Sequence, residues 1–191
     1  MYGRIDARTL RLDDMERRAR LGVASDEPIE GEAECLHELL SVVNSAFCTT
    51  RVGVKHASGA VFLGEERVSS VALARVLEGC SEAYLLTVTL GFGVDRAEAA
   101  CVDTYRAFLL DALADCLVEA AADEACSQLE CKDILTNRFS PGYADLDLSV
   151  GRYVVRATGA DKLLGVRFTD SGLMTPKKTV SAIIGIRGDK K

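Results

Sequence analysis

Tryptophan is absent from this chain, histidine occurs only as His37 and His56, and proline occurs three times in 191 residues. With two imidazoles, a histidine-rich metal centre has too few ligands, and no metal is expected. No apolar run approaches the roughly 18 residues that would span a bilayer. A basic excess is missing too. The formal net charge of −6 leaves nothing to neutralise a phosphate backbone, so a nucleic-acid surface is not expected. The N-terminal stretch MYGRIDARTLRLDDMERRAR carries charges where a signal peptide needs an apolar core, which points to a cytoplasmic protein. Seven cysteines are present (35, 48, 80, 101, 116, 126 and 131), but no C-x-x-C pair. An odd count without a secretion signal argues against a disulfide framework. Free cysteine on helical apolar positions behaves as a small hydrophobe.

What is there reads as α+β, with a largely antiparallel sheet, because helices and strands do not alternate in a βαβ rhythm. Residues 13–21 predict a short helix capped by Asp13 or Asp14, and 25–32 an acidic linker. A second helix is expected to place Leu36, Leu39, Leu40, Val43 and Phe47 on one apolar face. TRVGVKHA (50–57) and GAVFLG (59–64) predict a hairpin across a Ser-Gly turn. A helix over 69–79 follows, capped by Ser69 or Ser70, and then a strand over 83–91 apolar enough to be buried on both faces. From Asp95 to about Cys131 there is neither glycine nor proline. Cys101, Tyr105, Phe108, Leu109, Ala112, Leu113, Cys116, Leu117 and Ala120 keep a helical period, so one long central helix is expected over about 95–131, broken at most once. A helix opened by Asp147 or Ser149 and ended by Gly159 comes next, followed by strands at 165–168 and 179–186. The division expected is an N-terminal helical and hairpin region, 1–80, beside a core of 81–191, the two forming one compact unit.

Three features carry possible chemistry. Asp111, Asp115, Glu119 and Asp123 follow one another at four-residue spacing and form one carboxylate stripe on the long helix. That pattern is either a solvated acidic face or, for one or two members, the wall of a pocket that meets a cation. Gly91-Phe92-Gly93 looks like a phosphate loop but lacks the lysine and third glycine of one. A strand-to-helix turn, with Asp95 capping the helix, accounts for it. In NRFSPGYADLDLS (137–149), Ser-Pro-Gly is a turn signal, with Arg138 and Tyr143 on either side. A guanidinium, a helix carboxylate and a glycine turn together suit an amino-acid ligand, whose carboxylate and ammonium each need an opposite charge.

Three blocks then resemble one family: VTLGFGVDRAEAACVDTYRAFLLDALADCLVEAAADEA (88–125), RFSPGYADLDLS (138–149) and GVRFTDSGLMTPKKTVSAIIGI (165–186). They are similar to the activation (reactivation) domain of cobalamin-dependent methionine synthase, in a short stand-alone form. Arg-x-x-x-Gly-Tyr matches that family's S-adenosylmethionine-binding motif. The resemblance implies a binding module for S-adenosylmethionine that serves the cobalamin of a separately encoded methionine synthase or related corrinoid methyltransferase. An external electron donor would supply the reducing equivalent, and methyl transfer from S-adenosylmethionine would restore methylcobalamin. The resemblance implies Arg138 for the ligand carboxylate, Glu119 for its ammonium, and Gly142 and Tyr143 for the backbone turn beside it. Asp111, Asp115 and Asp123 keep the reading of a solvated face, and no residue of the chain is assigned a catalytic role. Ala-Asp-Leu-Asp follows Gly-Tyr where larger family members carry Pro-Ala-Cys-Pro. Those members also continue beyond the block ending at Ile186. The alternative reading is a non-catalytic module that caps a corrinoid protein without binding S-adenosylmethionine.

Overall fold

The computed structural model of the chain describes residues 1–23, 28–130 and 133–189. Its centre is the strand β5 (Glu82–Thr89), in which every residue after Glu82 is buried. Alternation divides its side chains between two cores. Tyr84, Leu86 and Val88 face one cluster, Ala83 and Leu85 the other. β2 (Ala46–Ala57) flanks it antiparallel from Ala46↔Thr89 to Gly53↔Glu82, and β9 (Thr179–Asp189) flanks it on the other side from Glu82↔Ile186 to Thr89↔Thr179. The sheet runs β4-β3-β2-β5-β9-β6, with β3 at Ala60–Leu63, β4 at Glu66–Val68 and β6 at Asp133–Leu135. β1 (Tyr2–Arg4) adds to β2 antiparallel, and Gly3 is required there because a Cβ would lie 2.4 Å from the Phe47 ring. The expected N-terminal region, 1–80, thus supplies β1 to β4 of the same seven-stranded sheet.

Helices cover both faces. On one lie α1 (Asp14–Leu21), α2 (Glu32–Val42), α4 (Phe92–Ala100) and α5 (Thr104–Glu130), sharing a core with Ile184 and Ile186. On the other lie α3 (Val71–Val76) and α6 (Val150–Thr158), packed on Leu85 and Ile183. The short α7 (Ala160–Leu163) covers Cys48. A small hairpin, β7 (Arg167–Phe168) with β8 (Met174–Thr175), stands apart from the main sheet. Asp13 caps α1 and Ser70 caps α3, each accepting a backbone N–H three residues on.

The long helix is borne out with its one allowed break, and several finer expectations are corrected. Phe47 is not on the face of α2; the helix ends at Val42, Val43 turns extended, and Phe47 pairs with Val88 inside β2. Strand pairing and burial of the ring outweigh the helical spacing. The expected long helix is α5, and the part before it is the separate helix α4. The single break falls at residues 101–103, where Asp103 accepts the Arg106 N–H at 2.8 Å and starts the second helix. Tyr105 and Phe108 are consequently half-exposed, and the buried face begins at Leu109. Asp95 sits in the first turn of α4, where it accepts the Lys177 N–H instead of capping a long helix. Part of the expected linker, residues 24–27, and Cys131 lie outside the described residues.

The carboxylate stripe of α5 is not a free solvated face. Lys178, only 7% exposed at its side chain, donates to Asp111 at 2.6 Å and Asp115 at 2.7 Å. Arg20 of α1 reaches Asp115 at 3.2 Å, and Arg138 takes Glu119 at 3.0 Å and Asp123 at 2.9 Å. Like-charge neighbours cost about 0.2–0.5 kcal/mol per pair, whereas a hydrogen bond to a charged group contributes about 1.5–3 kcal/mol. The cations therefore decide the balance.

Burial alone would push the Lys178 ammonium down, but hydrogen bonds to Asp111 and Asp115 outweigh it and hold it above the ordinary lysine value of 10.5. A raised value means that the contribution is complete below 10.5 and is lost as pH rises through the raised folded value. Lys178→Met is expected to lower unfolding stability by about 1–3 kcal/mol, less than for a fully buried pair because both aspartates retain water. The difference from wild type in denaturant melts should narrow at alkaline pH. Gly93→Ala is expected to cost about 1–3 kcal/mol in the same assay, because its Cβ would lie 2.1 Å from the Val42 carbonyl oxygen and force α2 and α4 apart.

Candidate functional site

Arg138 owes its position to the edge of β9. Thr136 donates its N–H to the Gly185 carbonyl at 2.9 Å, and Phe139 exchanges two backbone hydrogen bonds with Ile183 at 3.0 and 2.9 Å. Gly185 permits this approach, since a Cβ there would meet Thr136 at 3.0 Å and Cys80 at 2.7 Å. Phe139 packs with the α6 core, and Arg138, its neighbour in an extended segment, reaches the opposite side and the α5 stripe. There its guanidinium holds Glu119 and Asp123 together, with a longer contact of 3.5 Å to the Glu119 carbonyl.

Beyond Phe139 the chain makes two linked turns. Tyr143 donates its N–H to the Ser140 carbonyl, Leu146 to that of Tyr143, and Gly142 to that of Leu146 at 2.8 Å. Gly142 has φ +93°, a conformation that side chains disfavour, and Ala144 at φ +51° is in the left-handed region as well. Leu146 is buried and anchors the far end, while Tyr143 remains 69% exposed.

The turn is tied across the molecule by Asp145, which sequence reasoning assigned no role. Its carboxylate accepts the Ser70 hydroxyl at 2.6 Å, the Val71 N–H at 2.7 Å and the Ala72 N–H at 3.2 Å, so it caps α3 from a distant part of the chain. The hydrogen bond from Ser70, then that from Val71, holds this carboxyl below its ordinary value. The only sequence signal was an aspartate two residues beyond the Gly-Tyr turn; its partner lies more than 70 positions away.

A cavity of about 360 Å³ opens beside this turn. Glu119, Ser140, Pro141 and Tyr143 form one wall. Phe168, Leu173 and Met174 of the β7–β8 hairpin form another, with Lys177 just before β9 and Ser181 within it. Of the four expected residues, Glu119 and Tyr143 line this cavity. Arg138 lines a neighbouring one of about 320 Å³, together with Asp123, Cys126 and Asn137. Gly142 lines neither and shapes the turn. The Arg138–Glu119 pair therefore joins the two cavities. Sequence reading treated 169–178 as a connection, although Asp170-Ser171-Gly172, with Gly172 at φ +85°, carries the signal of a tight turn between paired strands.

The remaining candidates have structural explanations. Gly91-Phe92-Gly93 opens α4, and Gly93 is needed for close packing against α2. Cys35, Cys48, Cys80 and Cys116 are buried thiols pushed up by desolvation. Among the described residues no group of three or more His, Cys, Asp or Glu side chains is placed to hold a metal, and no helix is long and apolar enough to cross a membrane.

Fold and site together define an α+β domain in which an antiparallel sheet, one long helix and an arginine-bearing turn enclose a mainly apolar cavity with a carboxylate in its wall. The same fold is seen in the crystal structure of the MetH reactivation domain bound to AdoHcy. That chain superposes with a TM-score of 0.71 over 100% of this one and 79% of its own length, at 18% identity. No protein-family model and no curated protein sequence matches the chain.

Replacing Asp145 with alanine is expected to speed amide hydrogen exchange at Val71, Ala72 and Gly142 while leaving the β5 amides protected. Because the carboxyl is held low, its contribution is present above the ordinary aspartate value of 3.8 and is lost as pH falls through the lowered folded value. The difference between Asp145→Ala and wild type should therefore vanish in acid. A difference independent of pH would mean that the carboxylate is not the tie.

Proposed function

We propose that the 360 Å³ cavity binds S-adenosylmethionine and that the chain is an accessory protein for reductive reactivation of cobalamin. The cobalamin would belong to a separately encoded methionine synthase or related corrinoid methyltransferase. The observation that carries this reading is the convergence on one cavity of Glu119, paired with Arg138, and the turn residues Ser140, Pro141 and Tyr143, in a fold shared with a reactivation domain bound to AdoHcy, the demethylated form of that ligand.

Each part of the ligand has a physical counterpart. Its adenine suits the apolar wall of Phe168, Met174 and Leu173. Its ammonium suits Glu119. Its carboxylate suits Arg138, whose two present partners are both carboxylates, so an incoming carboxylate replaces Asp123 or Glu119 like for like. Gly142 gives the turn its close backbone approach, and Tyr143, largely exposed, stands beside the cavity mouth. Cobalamin, held by the partner protein, supplies the methyl-accepting chemistry, and an external donor supplies the electron. This chain contributes binding and orientation. A cytoplasmic location follows from this role.

One observation favours the second reading, a capping module without S-adenosylmethionine binding. Arg138 is already paired with Glu119 and Asp123. Calorimetric titration with S-adenosylmethionine, of the chain alone and then with a cobalamin-loaded methyltransferase present, separates the two. Binding by the chain alone indicates a preformed site, and binding only with the partner indicates a site completed at the interface. Absence of binding in both leaves the capping role. Where binding occurs, Arg138→Ala and Glu119→Gln are each expected to weaken it by about 10–100-fold, the loss of one charge-assisted hydrogen bond. Unchanged affinity in a folded Arg138→Ala variant would remove that residue from the site.

A further inference from the structure

A third hollow lies behind Phe168, between α6, α7 and β7, with a volume of about 270 Å³. Arg152 and Arg156 enter it from one face of α6, four residues apart, and Arg167 enters from the first residue of β7. Val155 and Val166, both buried, line it as well. Among the described residues Asp161 is the one carboxylate in the lining, so three guanidiniums face a single negative charge, in a chain whose overall balance is −6. Among the described residues, the guanidiniums of Arg156 and Arg167 have no hydrogen bond or ion pair. Arg152 is held in place, its guanidinium 4.7 Å from the Phe168 ring centroid and donating to the Thr169 carbonyl at 3.3 Å.

Along α5, cations brought close together are matched with carboxylates. Here three converge with one. We propose that this hollow is a binding site for a dianionic phosphate group, distinct from the cavity beside Glu119. Guanidinium forks match the oxygens of a phosphate, and a net local charge of about +2 balances a phosphate monoester, which carries about −1.5 to −2 near neutrality. The hollow is concave and small, and the chain as a whole carries a net charge of −6. An isolated phosphate group therefore fits better than an extended polyanion, which the net charge would repel. Phe168 is a wall of both cavities.

The test is backbone amide NMR of the full chain titrated separately with inorganic phosphate at pH 8 and with ribose 5-phosphate. Ribose and the singly charged dimethyl phosphate serve as controls. Both dianions are expected to give saturable shifts at residues 152–156 and 166–168, with ribose silent and dimethyl phosphate at least about 10-fold weaker. Arg156→Gln combined with Arg167→Gln should weaken the dianions by about 10-fold or more. Both side chains are exposed, and preserved dispersion in the same spectra shows that the variant is folded. Non-saturable shifts, equal response to dimethyl phosphate, or undiminished binding by the folded double variant would overturn the proposal. None of these readouts depends on S-adenosylmethionine, so the proposal stands or falls separately from the function proposed above.

Discussion

Four carboxylates in line on one helix repel one another, and the position of α5 depends on how that repulsion is relieved. The matching cations come from three distant parts of the chain: Arg20 in α1, Arg138 after β6, and Lys178 just before β9. Lys178 is the most buried of them, and its three contacts with Asp111 and Asp115 fix the start of β9 against the helix. That junction sets where the β7–β8 hairpin and Lys177 meet the turn at 140–143. The stripe thus divides its work. Its first half is occupied in holding the helix to the sheet, and its second half, Glu119 with Asp123, reaches the candidate site.

The sheet supplies rigidity and the loops supply the cavity. β5 is buried on both faces and gives each helical layer an apolar floor. The site itself is made from a turn and a two-residue hairpin held by few anchors: the Phe139 bridge, the burial of Leu146, and the reach of Asp145 to α3. A turn tied at both ends but exposed in the middle can present Tyr143 to a ligand or to a partner without disturbing the core. At 18% identity to a reactivation domain of the same fold, this arrangement of layers has tolerated wide replacement of side chains.

Legibility from sequence followed the range of the interactions. Strand β5 and the hairpin of β2 and β3 were readable because a continuous apolar run and a Ser-Gly turn are local signals. Phe47 misled because its spacing fitted a helix face while its pairing partner, Val88, was 41 positions away. The break at residues 101–103 had no glycine or proline to mark it; Asp103, a cap, was the only signal.

Within the site, Arg138, Gly142 and Tyr143 stood out because turn chemistry and a short motif are written in consecutive residues. Composition and spacing by themselves determined an α+β chain without a histidine-rich metal centre, with one long helix bearing an acidic stripe and one arginine-flanked turn. Only the tertiary structure decided which carboxylate that arginine would meet, that Asp145 would cap a helix from another part of the chain, and that Phe168 and Met174 would close the cavity. The physical reason is the same in each case. Periodicity and turn preference act over a few residues, whereas ion pairs and cavity walls depend on which distant segments the buried sheet brings within about 3–4 Å.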